Sequence, residues 1–358
     1  MGGSETRTAQ VVARARELGF DAVGVARADV PLGADYDRYR AFLDAGMHGA
    51  MGWLAERPEA RARVDADDIL PGARSVVCLA RRYDRPAAER GDPATAQAIA
   101  RYARGQDYHN VLRKKLRRLA AFCRGLGEPG EPARARPLCD EEPILERAWA
   151  ARAGLGFVGK NGLLIAPGLG SWLLLGEVVT TLELDPGAPM AERCGSCTRC
   201  LDACPTAAFP APFVLDARRC VAYLTIELRG PIEPELRPGV GERVFGCDAC
   251  QEVCPFNAGK RADTTAAYFG PHARWGEVDL EGLLALDDAG FAQLVVGSPV
   301  HRATREGLAR NAAIALGNRG DRAARPALER AAADDPSPVV REAARWALAR
   351  LDTSTERA

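Results

Sequence analysis

Cys194-Gly-Ser-Cys197-Thr-Arg-Cys200-Leu-Asp-Ala-Cys204-Pro205 opens a stretch that closes on Cys247-Asp-Ala-Cys250-Gln-Glu-Val-Cys254-Pro255, with Cys220 alone between the two runs. Eight of the chain's eleven cysteines fall here. The first run reads C-x2-C-x2-C-x3-C-P, a spacing in which three cysteines hold one [4Fe-4S] cluster and the fourth reaches across to a second. Carried through, Cys194, Cys197, Cys200 and Cys254 hold cluster one, and Cys204, Cys220, Cys247 and Cys250 hold cluster two. Two structural zinc sites are the weaker reading, because zinc ribbons present separated pairs rather than three cysteines at successive x2 spacing. A disulfide scaffold is weaker again: the count is odd and no signal peptide is expected.

Working outward, 358 residues suggest two or three domains of ordinary globular composition, 47% hydrophobic and 27% charged. No apolar run is long enough to span a bilayer, and the reduced thiols point to the cytoplasm. Formal net charge is zero, so overall charge announces no nucleic-acid partner, yet local charge hints at one. Between Ile99 and Arg136 ten Lys or Arg face three acids, and between His301 and Arg350 ten arginines face six. Such runs are more often solvated helix faces.

Ahead of the cysteines, apolar spacing predicts a helix over Thr8 to Leu18 stopped by Gly19, a strand over Asp21 to Ala26 and a helix over Tyr36 to Ala45. Gly46, Gly49 and Gly52 mark an irregular turn, and Arg74 to Leu79 reads as a buried strand. Val111 to Leu126 is an amphipathic helix with Arg113, Lys114, Arg117 and Arg118 outward. Pro143 suits the first turn of a helix running to Ala153. Leu163 to Ile165 and Trp172 to Leu184 read as strands around the Pro167-Gly168-Leu169-Gly170 turn. Between these lies Gly154-Leu-Gly156-Phe-Val-Gly159-Lys160, which matches a phosphate-binding glycine loop. Such a loop must follow a strand and open a helix, and here the helix comes first; the match is read as coincidental.

After the cysteines, residues 263–296 read as helical and loop-like, with Leu283, Leu284, Phe291 and Leu294 as core. Arg310-Asn-Ala-Ala-Ile-Ala-Leu-Gly and Arg341-Glu-Ala-Ala-Arg-Trp-Ala-Leu then align as helical repeats of HEAT type, with Pro326 and Pro336 breaking the helices between them. A plain helical cap is the blander alternative. The expected fold is a mixed α+β or α/β multidomain chain: an α/β domain over 1–185, a ferredoxin-type domain over 186–262 and a helical linker with HEAT-like repeats over 263–358.

Clusters move single electrons, so the front domain must supply the chemistry. Its candidate acid-base groups are Asp107, His109, Asp140, Glu141 and Glu142. Asp107-Tyr-His109 partly matches the D-x-H-x-x-G signature of cobalt-ligating histidines, but residue 112 is Leu where Gly is required, so His109 is not read as a cobalt ligand. Asp140, read alone, is a helix N-cap ahead of Pro143.

These residues together resemble the cobalamin- and iron-sulfur-dependent epoxyqueuosine reductases. The resemblance rests on Arg63 with Asp65, Leu70 to Val76, Arg101-Tyr102 through His109, Asp140-Glu141-Glu142-Pro143 to Glu146, Ala153 to Asn161, the eight cysteines, and Arg305 to Asn311 with Ala315 to Asn318. It spans roughly residues 10 to 350. It implies reduction of epoxyqueuosine to queuosine at wobble position 34 of tRNA, with base-off cobalamin reduced to cob(I)alamin by electrons from the two clusters. It also implies Asp140 as catalytic proton donor, with Asp140 and Arg63 as cobalamin contacts; Leu164, Leu175 and Ala222 join them by neighbourhood. Partners on this reading are a tRNA anticodon stem-loop with a GUN anticodon and a low-potential donor such as flavodoxin or ferredoxin, for a monomer with no membrane association. A donor of protons near neutral pH needs a raised pKa, which burial against the corrin would give Asp140. The chain departs from the family pattern at Cys139, at Glu141-Glu142 and at Arg63-Val-Asp65-Ala, which lacks a proline. The rival readings are a small-molecule reductase resembling the reductive dehalogenases and a non-enzymatic electron-transfer adaptor.

Overall fold

The computed structural model describes residues 3–83, 92–140, 142–258 and 269–353. Glu141 and residues 263–268 of the post-cysteine segment lie outside them.

The front half is built on a four-stranded antiparallel sheet in the order β1-β2-β6-β3, from β1 (Ala22–Arg27), β2 (Ser75–Arg82), β3 (Ala135–Leu138) and β6 (Leu173–Thr180). Strand β2 is buried along its whole length, because both faces of the sheet are covered. On one side lie α1 (Gly3–Glu17) and a helix over Tyr108–Arg124, whose Leu112, Leu116 and Leu119 are fully buried. Each such leucine contributes roughly 1.5–3 kcal/mol. On the other side lies the helix Glu146–Arg152, with Trp149 wholly enclosed. The helix Ala34–Asp44 flanks this half. In chain order these helices are α1, α2 (Ala34–Asp44), α3 (Tyr108–Arg124) and α4 (Glu146–Arg152).

Several expectations shift. Helix α3 begins one turn earlier than its apolar spacing shows, because the Asp107 side chain accepts from the backbone N–H of His109 and caps it. Helix α4 starts at Glu146 rather than near Pro143, and Asp140 caps nothing. The strands around Pro167 to Gly170 do not form a hairpin. A single Ala166–Gly170 bridge closes that turn; β5 (Leu164–Ile165) pairs instead with β4 (Phe157–Val158), while β6 runs through the sheet interior between β2 and β3.

Behind the cysteine region, α6 (Thr304–Arg319), α7 (Arg325–Asp334) and α8 (Pro338–Thr353) stack on one apolar core shared with α5 (Val221–Ile226) of the cysteine region. The two aligned segments lie within α6 and α8. Pro326 opens α7 rather than breaking it, since a missing N–H costs nothing in a first turn. Leu283 and Leu284 are buried, while Phe291 and Leu294 only flank that core. Among the described residues no helix is long and apolar enough to cross a membrane.

Candidate active site and cluster-binding region

Cap formation by Asp107 puts Tyr108 and His109 in the first turn of α3, facing the loop that leaves β3. On that loop Asp140 adopts φ +58°, a left-handed conformation that aspartate tolerates better than most residues but that still costs of order 1 kcal/mol. Its Oδ2 receives the Tyr108 hydroxyl at 2.8 Å and lies 2.9 Å from His109 Nε2. The other ring nitrogen of His109 lies 2.7 Å from Asp107 Oδ1. Both ring nitrogens are therefore engaged by carboxylates, leaving none for a metal. The Asp140 backbone N–H donates to Glu146 Oε1 at 2.9 Å, so the first residue of α4 holds the loop from below.

Charge follows geometry. Burial works against a charged His109, but hydrogen bonds to Asp107 and Asp140 outweigh it and hold its pKa at about 9. For Asp140 burial pushes upward, yet the bonds from His109 and Tyr108 and the nearby Arg302 guanidinium bring the pKa below the usual carboxylate value. The expectation of a raised Asp140 pKa concerned burial against a bound corrin; among the protein's own groups the direction is downward, with His109 as the partner favoured to carry the proton. Glu146 is pushed to about 8 by burial and by the Asp140 charge. Glu177, opposite Cys78 in the β2–β6 register, is fully buried with neither oxygen partnered, and burial raises it well above its ordinary value.

Asp140 keeps 53% of its side-chain surface open to solvent, although burial is the largest influence on its titration. Unpartnered buried groups stand in the same half: the Asn161 amide nitrogen, the Trp172 indole N–H and the Glu177 carboxyl. A cofactor fringed with amide groups would find donors and an acceptor there, so the residues fit a corrin.

The remaining sequence candidates are dispersed. Arg63 is turned to Asp65 in a bidentate pair at 2.7 and 2.6 Å. Its loop adjoins the Asp140 loop through Arg136, which donates to the carbonyls of Asp68 and Ile69 and to Glu142. Leu164 is buried and Leu175 half-buried in one apolar cluster. Ala222 is half-buried on α5, two residues past Cys220. Sequence reasoning missed Tyr108, Glu177 and Arg302; a lone glutamate inside the apolar strand Leu173–Thr180 was the available signal for Glu177.

None of the eight cluster-motif cysteines is tied up in a disulfide. Burial raises most of them, and neighbouring thiols add to it. Cys194 feels Cys200, Cys200 feels Cys254 and Cys197, and Cys254 feels Cys197. Cys220 feels Cys247 and Cys204, Cys247 feels Cys204, and Cys250 feels Cys220 and Cys247, with Cys200 next. Among the described residues no three such side chains converge on a point that would hold a single metal ion.

The cysteine region is sewn to the sheet. Asn257 Oδ1 accepts from the Ser171 N–H at 2.7 Å, its Nδ2 donates to Ser171 Oγ and the Gln251 carbonyl, and Gln251 Nε2 reaches the Tyr83 hydroxyl. Ala100 N–H donates to the Phe245 carbonyl and Arg101 N–H to Asp248 Oδ2. The chain entering Tyr108-His109 therefore runs alongside Cys247, and Tyr102 packs against both Phe245 and Tyr108.

A double-cluster electron-transfer region joined to an acid-base site defines an iron–sulfur oxidoreductase. Residues 193–257 match the model of a 4Fe-4S double cluster binding domain, residues 63–140 that of epoxyqueuosine reductase QueG, DUF1730, and residues 300–358 that of HEAT repeats. An epoxyqueuosine reductase of Gloeobacter violaceus is 46% identical over 323 residues, covering 87% of this chain and 97% of that one. One from Pseudomonas aeruginosa is 42% identical over 346 residues, covering 94% and 92%. The chain belongs to the epoxyqueuosine reductase family. A crystal structure of an epoxyqueuosine reductase with an epoxyqueuosine-modified tRNA-Tyr stem loop superposes with TM-score 0.87 at 32% identity, covering 97% of this chain and 90% of that one. The Bacillus subtilis enzyme, solved with an aspartate catalytic loop swung out of its active site, gives 0.86 at 32% identity with the same coverage.

Proposed function

We propose that the protein reduces epoxyqueuosine to queuosine at position 34 of a tRNA anticodon stem-loop, with the division into residues 1–185, 186–262 and 263–358 serving catalysis, electron delivery and substrate support. The observation that carries this reading is the strained Asp140 carboxylate held between Tyr108 and His109 in a chain of this family. Losing the epoxide oxygen as water requires a pair of electrons and protons, and the departing oxygen must be protonated. His109 stores that proton at neutral pH; Asp140 passes it on, drawing the replacement from the imidazole. Tyr108 fixes the carboxylate's orientation.

Bound cobalamin, when reduced, would supply the low-potential electrons to the epoxide-bearing ring. Asp140, Arg63, Leu175 and Ala222 are the residues proposed to border it, while Leu164 supports them from within the core. The influences among the thiols, which run within each group of four apart from that of Cys200 on Cys250, support the assignment of Cys194, Cys197, Cys200 and Cys254 to cluster one and of Cys204, Cys220, Cys247 and Cys250 to cluster two. Because Tyr102 bridges the Cys247 segment and Tyr108, cluster two is the one proposed to hand electrons to the site. The exposed Lys114, Arg117 and Arg118 of α3 supply a phosphate-binding face.

The test is anaerobic. Reconstituted protein is incubated with cobalamin, a low-potential reductant and tRNA carrying epoxyqueuosine, and the digested nucleosides are weighed. A product lighter by one oxygen, dependent on cobalamin, is expected. An unchanged nucleoside with clusters and corrinoid spectroscopically intact would favour the small-molecule reductase.

A further inference from the structure

The glycine loop that resembles a phosphate site has a different occupation. Its glycines are demanded by packing: a Cβ on Gly156 would sit 2.2 Å from the Ile165 carbonyl oxygen, and one on Gly159 2.5 Å from Ile165 Cδ1. The tight β4–β5 turn thrusts Lys160 out of the front half and onto the first cysteine loop. There its ammonium donates to the carbonyls of Gly195 at 2.6 Å and Cys197 at 3.0 Å. Its own carbonyl accepts from the Phe213 N–H at 2.9 Å, so the residue is fixed at both ends. Around it, Phe157 and Ile165 pack with Cys254 and Cys194.

We infer that Lys160 is an electrostatic tuning residue for cluster one, raising its reduction potential through a cation held against the loop that ligates it. The inference rests on the proposed assignment of Cys194, Cys197, Cys200 and Cys254 to that cluster. A [4Fe-4S] cluster with four thiolates is a dianion when oxidised and a trianion after accepting one electron. A fixed positive charge at short range stabilises the more negative state more, and hydrogen bonds toward the ligating sulfurs act in the same sense. Glu192, whose carboxylate accepts from the Cys194 N–H, works in the opposite direction. The consequence is that the front half, through one side chain, helps to set how readily the cluster region fills with electrons.

The experiment is an EPR-monitored dithionite titration of reconstituted full-length protein, with iron counted in every sample. Lys160→Gln keeps a donor for the two carbonyls but removes the charge; Lys160→Arg keeps the charge. In K160Q the potential of one cluster is expected to fall while the other stays, and in K160R both stay near the parent values. If K160Q loses half its iron and K160R does not, the charge is needed to hold the dianion, which supports the same role. Unchanged potentials in a fully loaded K160Q, or equal losses in K160Q and K160R, would overturn it. A failed cluster assignment shows itself separately, as a Cys194→Ala, Cys254→Ala double variant that loses the iron of both clusters rather than of one.

Discussion

His109 Nε2 lies 2.9 Å from Asp140 Oδ2, although nearly the whole of α3 and all of β3 run between the two residues in the chain. On the proposed mechanism the pair acts as one acid whose proton sits on the ring. Asp140→Asn keeps the loop's shape but cannot pass a proton, so turnover should drop by about 10²–10⁴ with cluster absorbance unchanged. Retained turnover in D140N would eliminate the residue as donor.

The pH profile follows from His109. Its pKa of about 9 lies above the ordinary value, so its proton is fully present below the ordinary histidine pKa and is lost as pH rises through about 9. Turnover should hold across neutrality and fall on that alkaline limb. In His109→Gln the rate should be low at every pH and the limb absent; a limb surviving in H109Q would place the titrating group elsewhere, Glu146 being next in line.

Cluster ligation predicts a pattern in double variants. Cys194→Ala with Cys254→Ala should retain about half the iron, because both changes strike one cluster, whereas Cys254→Ala with Cys247→Ala should retain almost none. Equal iron in the two doubles would refute the four-and-four division.

Arg310 is buried and donates to the carbonyls of Leu224, Leu228 and Gly230, while Asn311 donates to those of Thr225 and Val244. These bonds tie α6 to α5 and to the segment before Cys247. Arg310→Met leaves buried acceptors unpaired and should cost about 3 kcal/mol, seen as a lower thermal midpoint and weaker retention of cluster two. An R310M protein with parent stability would show that water satisfies those carbonyls.

Binding of tRNA should weaken steeply with salt, and the log–log slope should flatten by about 1 for each phosphate contact removed in Lys114→Glu or Arg117→Glu. A slope identical to the parent's in K114E and R117E would move the RNA to another face.

Much of this was legible beforehand. The cysteine spacing encodes ligation directly, and the α3 and repeat helices declare themselves through apolar periodicity. What escaped depends on meetings across the chain. Asp140 beside Pro143 reads locally as a cap, and only the fold brings Tyr108 and His109 to it. The start of α3 was read late because the apolar spacing was counted from Val111, while the cap at Asp107 is a polar signal four residues earlier. Leu163 to Ile165 and Trp172 onward suggested a hairpin because sequence proximity favours one; the Gly156 and Gly159 packing onto Ile165 draws β5 to β4 instead. Lys160 was set aside because its motif was compared with a phosphate loop, and its real neighbours lie some 35 residues ahead.

The seam of Tyr83, Ser171, Gln251 and Asn257 also decides what kind of part the cluster region is. Gln251 comes from the second cysteine motif and Asn257 from just past it, Tyr83 and Ser171 stand at the ends of β2 and β6, and every buried polar atom that bonds across the seam needs its counterpart. A two-cluster segment borrowed from an unrelated electron carrier would bring the ligands without Gln251 and Asn257, stranding Ser171 and Tyr83 in the interior. The region is therefore not an interchangeable cassette: its sequence is constrained as much by its host as by its iron.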